Sequence, residues 1–583
     1  MEVAAGAAGF VSFTFGTFQS CVQAFDFFYT AQHIGADGDL FATRLQWEQY
    51  RLMQWGEKAG LGPGLSPNTQ LNWHLAYALL HQLEIFLTSA EELKKRYRLD
   101  VAEEDVDARE RAIAAEVPPK GIAKLIARLR PEIYTIRGQI IHSNSNALKR
   151  LRWATLGKDQ ANSIMSDISD LNSKLHQLLD TVERERRTQV DVMLLRDILS
   201  RTSTAFEVEQ IQCVLGPSPS FTNEAIKSAA ILKQLRLYMG EETRDDEVRT
   251  PLSKEATASM PVLTNLKHKR LAPYTTTAPF RYQGIELARY RQEAVLVEWK
   301  IAEGAMWQKI SNQVKSLATM LSSPAGKDSQ SLICRGYIPW EERELYVLVY
   351  NVPSPVPRDA ANYWELRTLR ALILEQPHLS LDRRIKIART MAEVVLQLHT
   401  AGWLHKSLRS DNILFLAPQG SSSNDFLHTP PYLVGYEYAR PDTTQGAMLT
   451  QLPDTELVAD LYRHPKARGV SREKYRTQFD MYALGCVLLE IGLWQYLLDV
   501  KTRYLDPDLD DKITEATRSN KDVDLPSLLE LSNTEPLYQQ LQHCVGEAFA
   551  DAVVSCISME ITTDDASLDV QQAVVGKLRK CKC

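Results

Sequence analysis

Apolar positions recur along the first 235 residues with the three- and four-residue steps of helices packed face to face. Ile164, Ile168, Leu171, Leu175 and Leu178 step by 4, 3, 4 and 3, the seam of a helix in a bundle. Leu45, Trp47, Leu52, Met53 and Trp55 keep helical spacing up to Gly56, which reads as a glycine stop. Asn72 to Leu87 is another apolar-rich helix, with Lys94-Lys95-Arg96 on its solvated continuation. No strand-type alternation competes with this pattern, so an all-α bundle is expected over residues 1–235.

From Gly240 to about Lys269 the periodicity gives way to Glu, Asp, Thr, Ser and Pro, and a linker is set at 236–272. Beyond it, Ala294 to Trp299 and Leu345 to Val349 are short apolar, β-branched runs that suit strands. Helical spacing returns after Ser380, a candidate N-cap, with Ile385, Ala388, Ala392, Val395 and Leu396 on one face. Strands first and helices afterwards predict an α+β unit over 273–560, a small sheet lobe with a larger helical lobe. Residues 561–583 are expected as a tail.

Composition narrows the reading. A chain of 583 residues exceeds one core, and a net charge of −6 argues against general nucleic-acid binding. Eight cysteines, without paired short spacings except at the extreme end, fit a reducing cytosolic compartment rather than a disulfide framework or a zinc site. Val3 to Phe25 carries no formal charge over 23 residues, and a bilayer-spanning helix needs about 20. Ser12, Thr14, Thr17, Gln19, Ser20 and Gln23 suit the same run to a soluble core. Glu2 stands where a signal peptide carries basic residues.

The strongest local motif is His405-Lys406-Ser407-Leu408-Arg409-Ser410-Asp411-Asn412, ahead of Ile413-Leu414-Phe415. It resembles the protein-kinase catalytic loop H-R-D-L-x-x-x-N. Phe479-Asp480-Met481-Tyr482-Ala483-Leu484-Gly485 resembles the helix whose Asp anchors that loop, and Tyr462-Arg463-His464-Pro465 the end of the activation segment. The resemblance implies a bilobal protein-kinase-like fold over about 275–560. It also shows what is missing. A kinase orients the acceptor hydroxyl with the loop Asp and holds magnesium with the D-F-G Asp and the loop Asn. Ser407 stands at the first position; in Leu433 to Arg440, Gly435, Tyr436 and Glu437 stand at D-F-G, leaving Glu437 as a displaced carboxylate. Val295-Leu296-Val297-Glu298 aligns with V-A-I-K and puts an acid at the lysine position, while Lys300, two residues on, shares its strand face. No acidic residue appears between Gly304 and Lys327, and Gly284 stands alone where a glycine-rich loop belongs. The implied unit is a pseudokinase that requires no cofactor and has no metal site. Any ATP would rest on Lys300 and Asn412. His405, Asn412 and Asp480 then serve as structural hydrogen-bonding groups, Asp480 as the anchor.

A second resemblance covers about residues 5–220. Gly16 to Phe27 resembles the opening helix of the fungal HeLo domain family. Leu45 to Glu57 resembles its R-L-x-x-W-G-E segment, and Lys149-Arg150-Leu151-Arg152-Trp153-Ala154 its basic K-x-x-W-A stretch. That family implies a bundle whose N-terminal segment is expelled into a membrane and kills the cell. Gly6, Gly9 and Gly16 would let helices approach in lipid, with Phe10, Phe13, Phe15 and Phe18 as bulky contacts. Basic clusters at Lys94–Arg98, Lys149–Arg152 and Arg184–Arg187 suit anionic lipid heads. Cys581-Lys582-Cys583 has the form used for double prenylation. The combined expectation is a signal-gated membrane-disrupting effector of heterokaryon incompatibility or programmed cell death. It would self-associate on activation, answer to an upstream activating protein, engage membrane lipids, and relocate from the cytoplasm to the plasma membrane. Two rivals stay open: an active kinase using Lys300, Asn412 and Glu437, and a soluble signalling scaffold.

Overall fold

Ile164, Ile168, Leu171 and Leu175 all point inward on one helix, as their spacing predicts. They do so in a computed structural model that describes residues 2–28, 35–62, 65–99, 101–106, 121–143, 148–153, 158–179, 181–215, 221–241, 265–275, 279–281, 284–302, 307–322, 332–353, 364–375, 378–442, 457–469, 472–519, 523–559 and 564–581. The described chain divides into two compact units, Met1–Asn223 and the residues from Glu224 onward.

The first unit is helical. Its elements are α1 (Glu2–Phe28), α2 (Gly35–Ala59), α3 (Trp73–Thr88), α4 (Ala90–Tyr97), α5 (Gly121–Leu129), α6 (Pro131–Ser143), α7 (Lys158–Gln177), α8 (Thr181–Arg201) and α9 (Ala205–Leu215). α1 lies against α2, α3 and α6, and the seam of α7 closes on α2 and α3. The basic run Lys94-Lys95-Arg96 sits on a separate helix, α4, because Ser89 ends α3 and caps the next helix through its side chain.

Two expectations fail here. Gly56 does not stop α2, which runs through it to Ala59; Gly60, at φ +78°, makes the turn. The unit also contains a strand pair, β1 (Val101–Val106) antiparallel to β2 (Leu148–Trp153). The register sets residue 104 opposite 150 and residue 105 opposite 149, acidic positions opposite basic ones. The charged residues along both strands hide the pair from a search for apolar alternation. The Lys149–Arg152 stretch is therefore strand; its side chains, and those of Arg184–Arg187, lie outside the described residues.

A tenth helix, α10 (Phe221–Glu241), crosses the boundary set at residue 235, and from Glu224 it is grouped with the second unit. That unit opens with five antiparallel strands, β3 (Leu271–Pro273), β4 (Ile285–Tyr290), β5 (Glu293–Ile301), β6 (Cys334–Trp340) and β7 (Leu345–Asn351), in the order β3-β4-β5-β7-β6. The helix α11 (Trp307–Ser322) connects β5 to β6 and packs on β6. Both expected strands are present as β5 and β7, buried on both faces along most of their length.

The helical part follows. β8 (Trp364–Thr368) leads into α12 (Leu369–Glu375) and α13 (Leu381–Thr400), whose expected apolar face is buried throughout. Two-residue strands β9 (Trp403–Leu404) and β12 (Arg440–Pro441) pair around the motif region, while β10 (Ile413–Pro418) joins β8 to β11 (Tyr432–Leu433). Short helices α14 (Ser423–His428) and α15 (Leu457–Asp460) precede α16 (Thr477–Leu493), which is buried from Gln478 to Leu493. α17 (Leu497–Tyr504), α19 (Glu535–Val545) and α20 (Glu547–Ile557) pack on it, and α18 (Leu509–Ser519) packs on α17. Most of the expected tail is a further core helix, α21 (Asp564–Lys580). Leu568, Val574, Val575 and Leu578 are buried at helical spacing, and α21 packs on α13 and α20.

Candidate functional site

Two places in the molecule gather residues that the sequence singles out. The first is the loop after β9. Asp480 rises from the first turn of α16 into the protein interior, where no water reaches it. Its carboxylate accepts the backbone amides of His405 (2.7 Å) and Lys406 (2.8 Å), the Tyr475 hydroxyl (2.8 Å) and the His399 ring (3.1 Å). Burial pushes this carboxyl up, but the His399 hydrogen bond and charge, with the backbone hydrogen bond from His405, hold it below its usual range. His399 is held on its other side by Gln571 of α21, at 2.8 Å. His405 is fully buried, and burial brings its pKa down to about 4, so the ring is a neutral packing group beside Tyr436.

The groups that would face a phosphate donor are turned on each other. Asn412 donates from Nδ2 to the Ser407 carbonyl (2.7 Å) and hydroxyl (2.9 Å). Gly435 lies against the same amide at φ +80°: a Cβ there would come 2.3 Å from Asn412 Nδ2 and 2.4 Å from its Cγ. An aspartate at 435 has no room while Asn412 keeps this position. Lys300 is buried on β5 and its ammonium donates to the backbone carbonyl of Glu437. Burial lowers its pKa to about 8, against the raising charges of Glu437 and Glu298. Glu298, on the same strand face, is pushed up to about 7 by burial and by Glu437, and accepts the Tyr350 hydroxyl at 2.9 Å. From α11 it is an amide, Gln313, that reaches this region, donating to the Ala439 carbonyl at 3.0 Å. Among the described residues no cluster of His, Cys, Asp and Glu is arranged to hold a metal ion.

Thus Ser407, Asn412 and Gly435 meet in one knot, Lys300 and Glu437 in a second, and Asp480 holds the loop from behind. His399, Tyr475, Gln313 and Tyr350 are the partners that sequence reasoning missed. Only His399 had a local signal, the Leu398-His399 end of α13 ahead of the loop.

The second place is α1. Its end is locked: Phe18, Cys21, Val22, Ala24, Phe25 and Phe28 are buried. Phe18 enters a socket floored by Gly56, where a Cβ would come 2.1 Å from the ring, and it tilts against Trp55 at 6.3 Å. Asp26 pairs with Arg137 of α6 at 2.6 Å and accepts Gln49 of α2 at 3.1 Å. Gln49 also donates to the Val22 carbonyl at 2.9 Å. Its beginning is looser: Phe13 is 68 % exposed, and Val11, Phe15 and Gly16 are half-buried. Gly6, Gly9 and Phe10 lie on the helix, but their side chains are outside the described residues. Among the described residues no single helix is long and apolar enough to cross a membrane.

This bundle, with its socketed first helix, has a known counterpart. Residues 6–210 match the HeLo family model, described as prion-inhibition and propagation. The match takes in α1 to α8 and part of α9, and stops short of α10. The chain is also similar to the serine/threonine-protein kinase PknE of Mycobacterium tuberculosis and of Mycobacterium bovis, 34 % identical over 123 residues. That stretch is 21 % of this chain and 19 % of those kinases, so the chain spans about a fifth of the length of the curated relatives it matches. The second unit thus carries a partial protein-kinase similarity behind the stretch that matches the HeLo model.

Proposed function

We propose that the chain is a signal-gated effector of cell death or heterokaryon incompatibility. Its HeLo domain acts on membranes, and its kinase-like unit regulates without transferring phosphate. The observation that carries the reading is the HeLo match over residues 6–210, joined to a kinase-like loop whose polar groups are committed to one another. Serine at 407 cannot replace a carboxylate as proton acceptor, and glycine at 435 offers no metal ligand. A single missing electrostatic element typically costs about 3–4 kcal/mol of transition-state stabilisation, and here two are replaced together.

In the resting form α1 is a bundle helix. Activation by an upstream protein would free it, and self-association at the plasma membrane would follow. The Phe13 end leaves first, since the Phe18–Phe28 end is held by the Gly56 socket and the Asp26–Arg137 pair. No nucleotide is needed for the membrane step.

Dye release from vesicles containing anionic lipid tests this with the full chain. Gly56→Ala, which displaces Phe18, should raise release above the wild type. Adding Gly9→Glu should abolish the increase, because a charge in the inserted segment is expensive. Release that is absent in every variant, or indifferent to Gly9→Glu, would favour the scaffold reading.

A further inference from the structure

The helix that follows the HeLo match is built into the other unit. On α10, Ile226, Ala229, Ala230, Leu232 and Leu235 are buried, and Leu232 joins the core of the kinase-like unit. Arg236 sits at its working end. The guanidinium lies over Gly402, where an added Cβ would come 2.8 Å from its Cζ, and Nη1 donates to the Asp442 carbonyl at 3.4 Å. Gly402 takes φ +74°, a conformation that favours glycine, and its carbonyl accepts the Asp442 amide at 2.8 Å. These residues close the β9–β12 pair, in which Trp403 faces Pro441 and Leu404 faces Arg440. The next residue is His405, the start of the loop that Asp480 holds.

We propose that α10 is a detachable clasp, seated by Arg236 on the Gly402–Asp442 junction, through which the state of the 405–412 loop controls the segment leading out of the HeLo domain. The physical basis is a short path. Two residues, Trp403 and Leu404, separate the arginine contact at Gly402 from the loop, and both ends of the 402–404 stretch are fixed by hydrogen bonds. A displaced loop shifts β9, a shifted β9 moves Gly402 and the Asp442 carbonyl, and Arg236 loses its seat. The path gives the pseudokinase an output that requires no phosphate transfer. Its consequence for membranes rests on the function proposed above; the clasp itself does not.

Amide hydrogen exchange in the full chain tests the clasp without reference to membranes. Because coupling between two places is reciprocal, each must feel the other. Arg236→Ala should speed exchange over residues 226–237 and over 401–412 by about fivefold or more, the loss of roughly one hydrogen bond with its packing. Asn412→Ala, a change in the loop knot, should speed exchange over 226–237. Exchange in α16 and in β5 and β7 should stay as in the wild type. The proposal is overturned if Asn412→Ala leaves α10 unchanged. It is overturned equally if Arg236→Ala loosens α16 as much as α10, since α10 would then be an ordinary core helix. Arg236→Lys, which keeps the charge but not the planar fork, should fall between the two if the contact with the junction matters.

Discussion

Two aspartates hold the two places that matter, and they are held differently. Asp480 receives four donors on its two oxygens and lies below the normal carboxyl range. Asp26 has Arg137 and Gln49 on one oxygen, none on the other, and burial raises its pKa. A carboxylate with every lone pair engaged is a fixture, because removing it strands several donors at once. One that is half satisfied and mostly shielded from water is a weaker tie, since its desolvation is poorly repaid. Asp480 thus fixes the His405–Lys406 start of the kinase-like loop, whereas the Asp26 tie adds less than the Phe18 socket to the hold on α1.

Replacing each tie in turn would break or sharpen that contrast. The largest effect is expected for Asp480→Asn, which leaves donors facing an amide. Chemical denaturation should show the second unit losing about 3–5 kcal/mol. Next comes Gly56→Ala, whose methyl overlaps the Phe18 ring, at about 1–3 kcal/mol, with increased protease sensitivity of α1. Gly435→Asp should be of similar size, about 1–3 kcal/mol, from strain at positive φ and the clash with Asn412. It should not restore magnesium binding by calorimetry. A double replacement, Asp26→Leu with Arg137→Met, should leave stability within about 1 kcal/mol of the wild type or above it. A loss as large as that of Asp480→Asn would erase the distinction.

The smallest effect is a pH dependence. Glu298 has a folded pKa raised to about 7, so folding favours its protonated form. That stabilisation is complete below the ordinary glutamate range and is lost as pH rises towards about 7. Glu298→Gln should therefore melt higher relative to the wild type at about pH 8 than at about pH 5. A difference that is flat or of opposite sign would show that Glu298 is not held protonated by burial.

The same contrast marks what the sequence makes legible. The α7 seam, the α13 face and the β5 and β7 strands follow from local periodicity, because burial of one face needs a repeating pattern. Asp480 was readable through its motif, since its partners are backbone groups that any sequence supplies. Gly56 was misread, because its role is set by Phe18, almost forty residues away in the chain. The Gly435–Asn412 contact was invisible for the same reason: the missing aspartate could be read, but not that Asn412 has filled its place. The β1–β2 ribbon was masked by charge, and α21 by its mixture of Gln, Lys and Ala with few large apolar residues. Nothing local distinguishes an α10 that belongs to the kinase-like unit from one that closes the HeLo domain.

Nucleotide titration of the full chain, followed by its melting temperature with and without magnesium, tests the central claim that the second unit regulates without phosphate chemistry. A ligand that binds the folded state raises Tm, and the rise grows with the ratio of its concentration to its Kd. With Ser407 and Gly435 at the positions that resemble the kinase catalytic and metal-binding ones, and Asn412 hydrogen-bonded to Ser407, magnesium should add nothing to any shift seen with ATP. A magnesium-dependent rise that Asn412→Ala removes would show a working metal–nucleotide site, and the account would fail.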